Sequence, residues 1–513
     1  MLKRLNNSKS QLKYGVLLSY VNILVTITVS LIYTPYLLRM LGQSEYGLFS
    51  IAFAAIGAFH ILDFGMGNAT IRYTAQYRAA GNKFKEHALH GTFFIIYLIL
   101  GLLVLILGTL IYLKTADIFS ANMTEAEISR LKLMLIFVVP SVALSLPLSV
   151  FNYILTGYER FVMVKLLILV RITLLPIISI ILLLTGYKAV ALIAATSVIN
   201  ILAHLFSMYY SLSFLNVKFA FSEFNKKIFK EIINYSSFIA LAAIAVKIDK
   251  NSNQFILSLI QGTNSVAIYA VGFVLAINFR SIAYGISSLL LPALAKIAKD
   301  GEQLRIYNSY FTRVGRIQFY VLGLFYVGFI LFGKQFIILW AGLDYELSYY
   351  VCLLLISSFY IISIQEVGVT ILQAKNKHQF NSILVLLLSI GNIILSSYLS
   401  NVFGTIGAAI SLAGLWLIGH GIIMNIYYHK KANLNVIRFW VEILKILPAF
   451  ILPVIFAIIY LHFYTADKWL NLALGVFVFL VLYAISAITI TFNKYEKELL
   501  IEPIKKFINN HFG

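Results

Sequence analysis

The chain has 513 residues, 61% of them hydrophobic and only 12% charged, with a mean hydropathy of +0.90. That excludes a soluble globular or disordered protein and describes a polytopic membrane protein. A formal net charge of +20 would suit nucleic acid only if a soluble domain carried a basic face, and none is present. The single cysteine, Cys352, excludes intramolecular disulfides and any cysteine-based metal site.

In chain order, Lys3, Arg4, Lys9 and Lys13 precede an apolar run from Tyr14 to Leu38. The run lacks the short apolar core and small-residue cleavage site of a signal peptide, so it reads as a retained first helix. Apolar runs of spanning length then predict fourteen transmembrane helices, at 14–38, 45–69, 89–113, 132–156, 164–184, 189–213, 232–260, 265–291, 313–333, 346–373, 380–400, 404–428, 443–463 and 469–492. An even number puts both termini on one side. Of the 40 Lys and Arg, 29 lie by the loops of that side. Seven lie by the opposite loops (Arg39, Lys114, Arg130, Lys132, Lys188, Lys334 and Lys468), and Arg171, Lys247, Lys250 and Arg280 fall inside spans. This asymmetry assigns both termini to the cytoplasm and explains the net charge as topology and contact with anionic membrane lipids. Trp340, Trp440 and Trp469 fall at predicted interfaces.

An internal repeat organises the chain. GQSEYGLFSIAF from Gly42 aligns with GTNSVAIYAVGF from Gly262 at an offset of 220. ILTGYERF from Ile154 is similar to ILQAKNKHQF from Ile371, and the segment from Gly186 is similar to that from Gly404. Six helices per repeat enter the membrane in the same sense, so the halves form a parallel pseudo-repeat. The expected division is an N-lobe at 1–213, a cytoplasmic linker at 214–231, a C-lobe at 232–428, and two extra helices with a cytoplasmic tail at 429–513.

The functional signal is charge at depth. In the seventh span, IINYSSFIALAAIAVKIDKNSNQFILSLIQG, neither apolar flank of Lys247, Asp249 and Lys250 is long enough to cross alone, so the charges lie inside the span. A helix ending near Gly262 would put Lys247 ~22 Å deep, where ionisable groups face a wet cavity. On a helical wheel Lys247, Lys250, Asn251, Gln254, Ser258 and Gln261 form one polar stripe, while Asp249 and Asn253 point to a neighbouring helix. Arg280 shares its helix face with Tyr269, Phe273, Tyr284 and Ser287, a surface suited to sugar rings beside an anion. Arginine's planar fork fits a diphosphate bidentately, and the lysines act as point charges. Alternative readings stay open. Arg280 could instead pair with Asp249, Lys247 and Lys250 could sit in an unwound loop, and Arg171 could snorkel to headgroups or meet a diphosphate. Asp63 and Glu366 are candidates for ion coupling or for packing, and His60 for a hydrogen-bonded packing role, a proton relay or a substrate contact. His204 and His420 carry no assignment. Pro35 and Pro292 could bend helices for gating.

The segment from Tyr33 to Gly81 carries Arg39, Leu41, Gly42, Tyr46 and Gly47, then Leu62, Asp63, Gly65, Thr70 and Arg72, then Ala80 and Gly81. With IYA at Ile268, the ILTGYERF turn and GTIGAA from Gly404, it resembles the Wzx-type polysaccharide-repeat-unit flippases of the multidrug/oligosaccharidyl-lipid/polysaccharide (MOP) exporter superfamily. The resemblance implies an all-α, MATE-like fold of twelve plus two helices. It implies a non-enzymatic flippase of the bacterial cytoplasmic membrane, without cofactor or metal, that moves an undecaprenyl-diphosphate-linked glycan to the outer leaflet by alternating access. Lipid II and teichoic-acid precursors are the alternative cargoes, and polysaccharide polymerase machinery is a candidate partner. A cation-coupled drug antiporter would want an acidic cavity, yet the in-span charges are four basic (Arg171, Lys247, Lys250, Arg280) against three acidic (Asp63, Asp249, Glu366). A membrane polymerase or ligase would want a large external loop, and the longest runs only from about Lys114 to Leu131.

Overall fold

The computed structural model describes residues 8–221, 226–288, 290, 294, 303–375, 377, 379–464 and 468–498. Lys3, Arg4, residues 222–225 of the expected linker, Pro292 and the tail beyond 498 lie outside the described residues. Those described form helices α1 (Ser8–Leu41), α2 (Gln43–Phe59), α3 (Met66–Ala79), α4 (Lys83–Phe119), α5 (Glu125–Gly157), α6 (Phe161–Leu184), α7 (Ala189–Ser213), α8 (Lys226–Ile260) and α9 (Thr263–Ser288). These are followed by α10 (Gln303–Ala341), α11 (Leu347–Ser363), α12 (Glu366–Ala374), α13 (Gln379–Trp416), α14 (Met424–Lys430), α15 (Val436–Leu444), α16 (Ile451–Phe463) and α17 (Trp469–Ser486). No strand occurs among the described residues. Twelve helical stretches among them are long and apolar enough to cross a membrane. One of these, of 52 residues, contains Gly404 in a non-helical conformation (φ 58°).

The chain divides into two compact units, residues 1–270 with 382–411 and residues 271–381 with 412–513. In the first, α5 is the central helix, packed against α4, α7 and α3. It can be central because small residues let backbones approach: a Cβ on Gly108 would strike the Val139 side chain, and Gly101 faces the Ala143 carbonyl. The α4–α5 turn is closed by a capping box, with Thr124 N donating to Glu127 Oε2 (2.9 Å) and Glu127 N to Thr124 Oγ1 (3.3 Å). Glu127 Oε1 also accepts from Ser44 Oγ (2.5 Å) and Thr263 Oγ1 (2.6 Å), tying the starts of α2 and α9 to this turn. Both helices follow a glycine of the aligned motif, Gly42 at φ 76° and Gly262 at φ 79°. These backbone angles explain why that pattern carries glycine.

In the second unit, Phe332, Ala457, Leu472 and Phe479 form a core beneath α10, α16 and α17. Arg316, 3% exposed, clasps Glu496 with Nε (2.6 Å) and Nη2 (3.0 Å) and reaches Glu442 Oε2 with Nη1 (3.3 Å). Large apolar side chains such as Leu98, Ile106 and Leu474 are exposed on outer helix faces, as a lipid solvent requires.

Three expectations need correction. The predicted helix 45–69 is two helices, because Phe64 (φ 47°) and Gly65 (φ 65°) are left-handed and end the 3₁₀ turn His60–Asp63. The predicted helix 346–373 is likewise broken at Ile364–Gln365. The predicted helix 313–333 runs instead over Gln303–Ala341, since hydropathy marks only the hydrocarbon-depth portion of a longer helix.

Candidate functional site

In the first unit the site begins with the break between α2 and α3. Ending a helix frees backbone carbonyls that need new partners. Lys247 on α8 answers this: its Nζ donates to the His60 carbonyl (2.5 Å) and lies 3.8 Å from Asp63 Oδ2. Tyr97 on α4 donates its hydroxyl to Asp63 Oδ1, and the Tyr97 and Tyr153 rings lie 6.0 Å apart. Asn251, one turn beyond Lys247, returns Nδ2 to the Lys247 carbonyl (2.7 Å) and fills the space over Gly57, where a Cβ would sit 2.5 Å from Asn251 Oδ1. The structure thus joins two groups that sequence reasoning put in separate roles, the cationic Lys247 and the carboxylate Asp63. Further along the stripe, Lys250 is exposed and Gln254 half-buried.

Asn253 points away from that stripe. Its Nδ2 donates to the Tyr269 hydroxyl (2.8 Å) and the Ala408 carbonyl (3.1 Å), and its Oδ1 accepts from Asn392 Nδ2 (3.0 Å). Asp249 is also buried, at 6% exposure.

Two cavities of about 310 and 300 Å³ lie within this unit, and Arg171 and His204 line both. His60, Ser145, Thr196 and Asn200 add polar atoms to the larger. Arg171 Nη1 donates to Asn200 Oδ1 (3.2 Å), while Asn152 meets His204 Nδ1 through its Nδ2 (3.0 Å) and accepts from Ser207 Oγ at its Oδ1 (2.8 Å). Arg171 therefore stands on a cavity wall with guanidinium, amide and imidazole groups converging, a set that can bind an anion and sugar hydroxyls together. His204, which sequence reasoning set aside, belongs to this wall. Only its spacing from Asn200 and Ser207 on one face of α7 could have flagged it.

In the second unit Arg280 lies over aromatic rings, its guanidinium carbon 4.7 Å from the Trp416 centroid and 5.3 Å from that of Phe359. His420 stacks on Trp416 at 4.8 Å and 11°. The helix widens to a π-helix over Leu417–Ile423, a distortion that often marks functional segments. Glu366, half-buried at the start of α12, lies within electrostatic reach of Arg280. The expected sugar-binding face of α9 needs correction. Tyr269 (1% exposed), Phe273 (5%) and Ser287 (1%) are buried, Tyr269 and Ser287 hydrogen-bonded to Asn253 and Gln318. Only Tyr284, at 64%, is open. The aromatic partners of Arg280 come from distant segments instead.

Comparison with known proteins places this architecture. Over residues 12–298, more than half of the chain, the sequence matches the family described as polysaccharide biosynthesis protein. A Shigella flexneri protein described as an O-antigen transporter is 23% identical over 387 residues, 73% of this chain and 88% of that one. Among solved structures, the lipid II flippase MurJ in an inward closed conformation aligns with a TM-score of 0.68 at 15% identity, covering 92% of this chain and 98% of that chain. An inward-facing multidrug resistance MATE transporter aligns at 0.59 and 16% identity, covering 80% and 99%. A MOP superfamily transporter from Pyrococcus furiosus aligns at 0.58 and 15%, covering 81% and 96%. The chain belongs to the polysaccharide biosynthesis protein family and is a multi-pass membrane protein with the fold of the MOP superfamily transporters.

Proposed function

We propose that the protein flips an undecaprenyl-diphosphate-linked oligosaccharide, an O-antigen or other surface polysaccharide repeat unit, from the cytoplasmic to the outer leaflet. The observation that carries this reading is a membrane protein of a polysaccharide biosynthesis family that keeps arginines on polar or aromatic surfaces within its helices, Arg171 on a cavity wall and Arg280 over Trp416. Guanidinium groups there suit a diphosphate, and aromatic and amide groups beside them suit sugars. Translocation proceeds by alternating access, with Arg171, Arg280, Lys250 and Gln254 as substrate contacts and His60, Asn251 and Tyr284 at their margins. Lys247 joins them once it leaves the His60 carbonyl, and Asp63, Asp249 and Glu366 serve coupling or ion pairing. The protein sits in the bacterial cytoplasmic membrane with both termini cytoplasmic.

The same reading keeps fourteen spans in two six-helix repeats plus two helices, divided at 1–213, 214–231, 232–428 and 429–513. Supporting it, both members of two aligned glycine pairs have positive φ: Gly42 with Gly262, and Gly186 (88°) with Gly404 (58°). Depletion of the protein in its host tests the function. Undecaprenyl-linked glycan should accumulate on the cytoplasmic side while extracts keep full ligation and polymerisation activity. Loss of those activities instead would point to a membrane enzyme, and accumulation of lipid II would reassign the cargo.

A further inference from the structure

One cavity plays no part in that function. It lies in the second unit, at the start of α10. This helix has 39 residues, ~58 Å at 1.5 Å per residue, and so outruns a hydrocarbon layer of ~30 Å. At its far end Trp340 stacks on Phe336 (5.6 Å), which meets Trp469 edge-on (6.2 Å), the aromatic belt of one interface. Arg313 lies ~40 Å back along the helix, past the far edge of a ~30 Å hydrocarbon layer, and Arg305 ~12 Å further out.

There a cavity of about 530 Å³ is lined by Arg305, Arg313, Tyr310 and Tyr495 on its polar side and by Ile306 and Ile317 among its apolar residues. No carboxylate lines it among the described residues. Among the described acids, Glu496 is committed to Arg316 (2.6 Å) and Glu442 to Arg316 (3.3 Å) and Lys445 (2.5 Å). Arg313 instead lies 4.6 Å over the Tyr495 ring, which fixes the direction of its guanidinium. Arg305 and Arg313 are exposed and form no ion pair among the described residues. Two cations beside an apolar slot, past the edge of the hydrocarbon layer, call for an anion that carries its own hydrocarbon tail.

We propose that this cavity binds the phosphodiester of an anionic glycerophospholipid, with the phosphate between Arg305 and Arg313 and the glycerol and first acyl carbons against Ile306 and Ile317. A soluble phosphate would leave the apolar wall uncovered. A zwitterionic lipid would bring an ammonium beside two arginines, with no carboxylate among the described lining residues to receive it. An isoprenoid phosphate offers the same anion, so the test must separate it.

The experiment uses the purified full chain in detergent, titrated with phosphatidylglycerol, phosphatidylcholine or undecaprenyl phosphate, with retained lipid counted by native mass spectrometry. Phosphatidylglycerol should be retained about tenfold or more over phosphatidylcholine, as two basic groups at a surface warrant. The Arg305→Gln/Arg313→Gln double variant should lose that preference, and the Arg305→Lys/Arg313→Lys variant should keep most of it. Circular dichroism on each variant separates lost binding from lost fold. Equal retention of the two phospholipids, or a glutamine variant that binds like the parent, would overturn the proposal. So would undecaprenyl phosphate outcompeting phosphatidylglycerol at the arginine-dependent site.

Discussion

Replacing Lys247 with methionine keeps the unbranched apolar stem and removes the ammonium. Two interactions go with it, the 2.5 Å hydrogen bond to the His60 carbonyl and the 3.8 Å pairing with Asp63. A hydrogen bond to a charged partner is worth about 1.5–3 kcal/mol. The ion pair has about 4 kcal/mol of Coulomb attraction at an effective dielectric of ~20. Desolvation offsets most of that, so breaking the pair costs chiefly through the carboxylate left behind. The Asp63 side chain is only 13% exposed, which makes that cost real even though Tyr97 still donates to it. We expect Lys247→Met to destabilise the protein by about 2–4 kcal/mol. Adding Asp63→Asn should recover about 1–2 kcal/mol, since no charge is then stranded. Unfolding free energies from SDS titration in mixed micelles, measured for both single variants and the double, give the coupling directly. Lys247→Met within about 0.5 kcal/mol of the parent, or strictly additive single effects, would refute the view that Lys247 closes the helix break.

Other residues carry their own expectations. Arg280→Gln should cut surface glycan export by about tenfold or more, and Arg280→Lys should fall between, because the ammonium keeps the charge but loses the stacking on Trp416; export scored by surface polysaccharide immunoblot decides it, and a fully active Arg280→Gln would remove Arg280 from the site. Arg316→Ala strands buried Glu496 and should cost about 3–5 kcal/mol, while Arg316→Met/Glu496→Leu should cost less, both read by the same SDS titration. Gly57→Ala should push Asn251 from its place over the α2 backbone and lower the unfolding free energy by about 1–3 kcal/mol, a loss that Asn251→Ala in the same chain should partly restore.

Much of the fold was legible because lipid enforces it: a span must be apolar for about 20 residues, and the boundaries of α6 and α7 follow that pattern closely. The glycines at 42 and 262 were legible for a different reason, since positive φ restricts the residue type. The break at Phe64–Gly65 was not, because Ile61, Leu62 and Phe64 keep the run apolar through the very residues that leave the helix. In-span charges were found by their cost, which identified Lys247, Asp63, Arg171 and Arg280. Their partners were not, because those come from segments far apart in the chain: Tyr97 reaches Asp63 from α4, and Trp416 and Phe359 meet Arg280 from α13 and α11. A helical wheel finds the neighbours of a residue on its own helix, and here the contacts that define each site are made between helices.

Reconstitution tests translocation of a lipid-linked glycan most directly. Purified protein in unilamellar vesicles, given an undecaprenyl-diphosphate oligosaccharide on one leaflet, should deliver it to the other well above the rate of protein-free vesicles, with Arg171→Gln/Arg280→Gln slowing delivery about tenfold or more. Delivery no faster than in protein-free vesicles, from protein shown to be folded and inserted, would contradict the account.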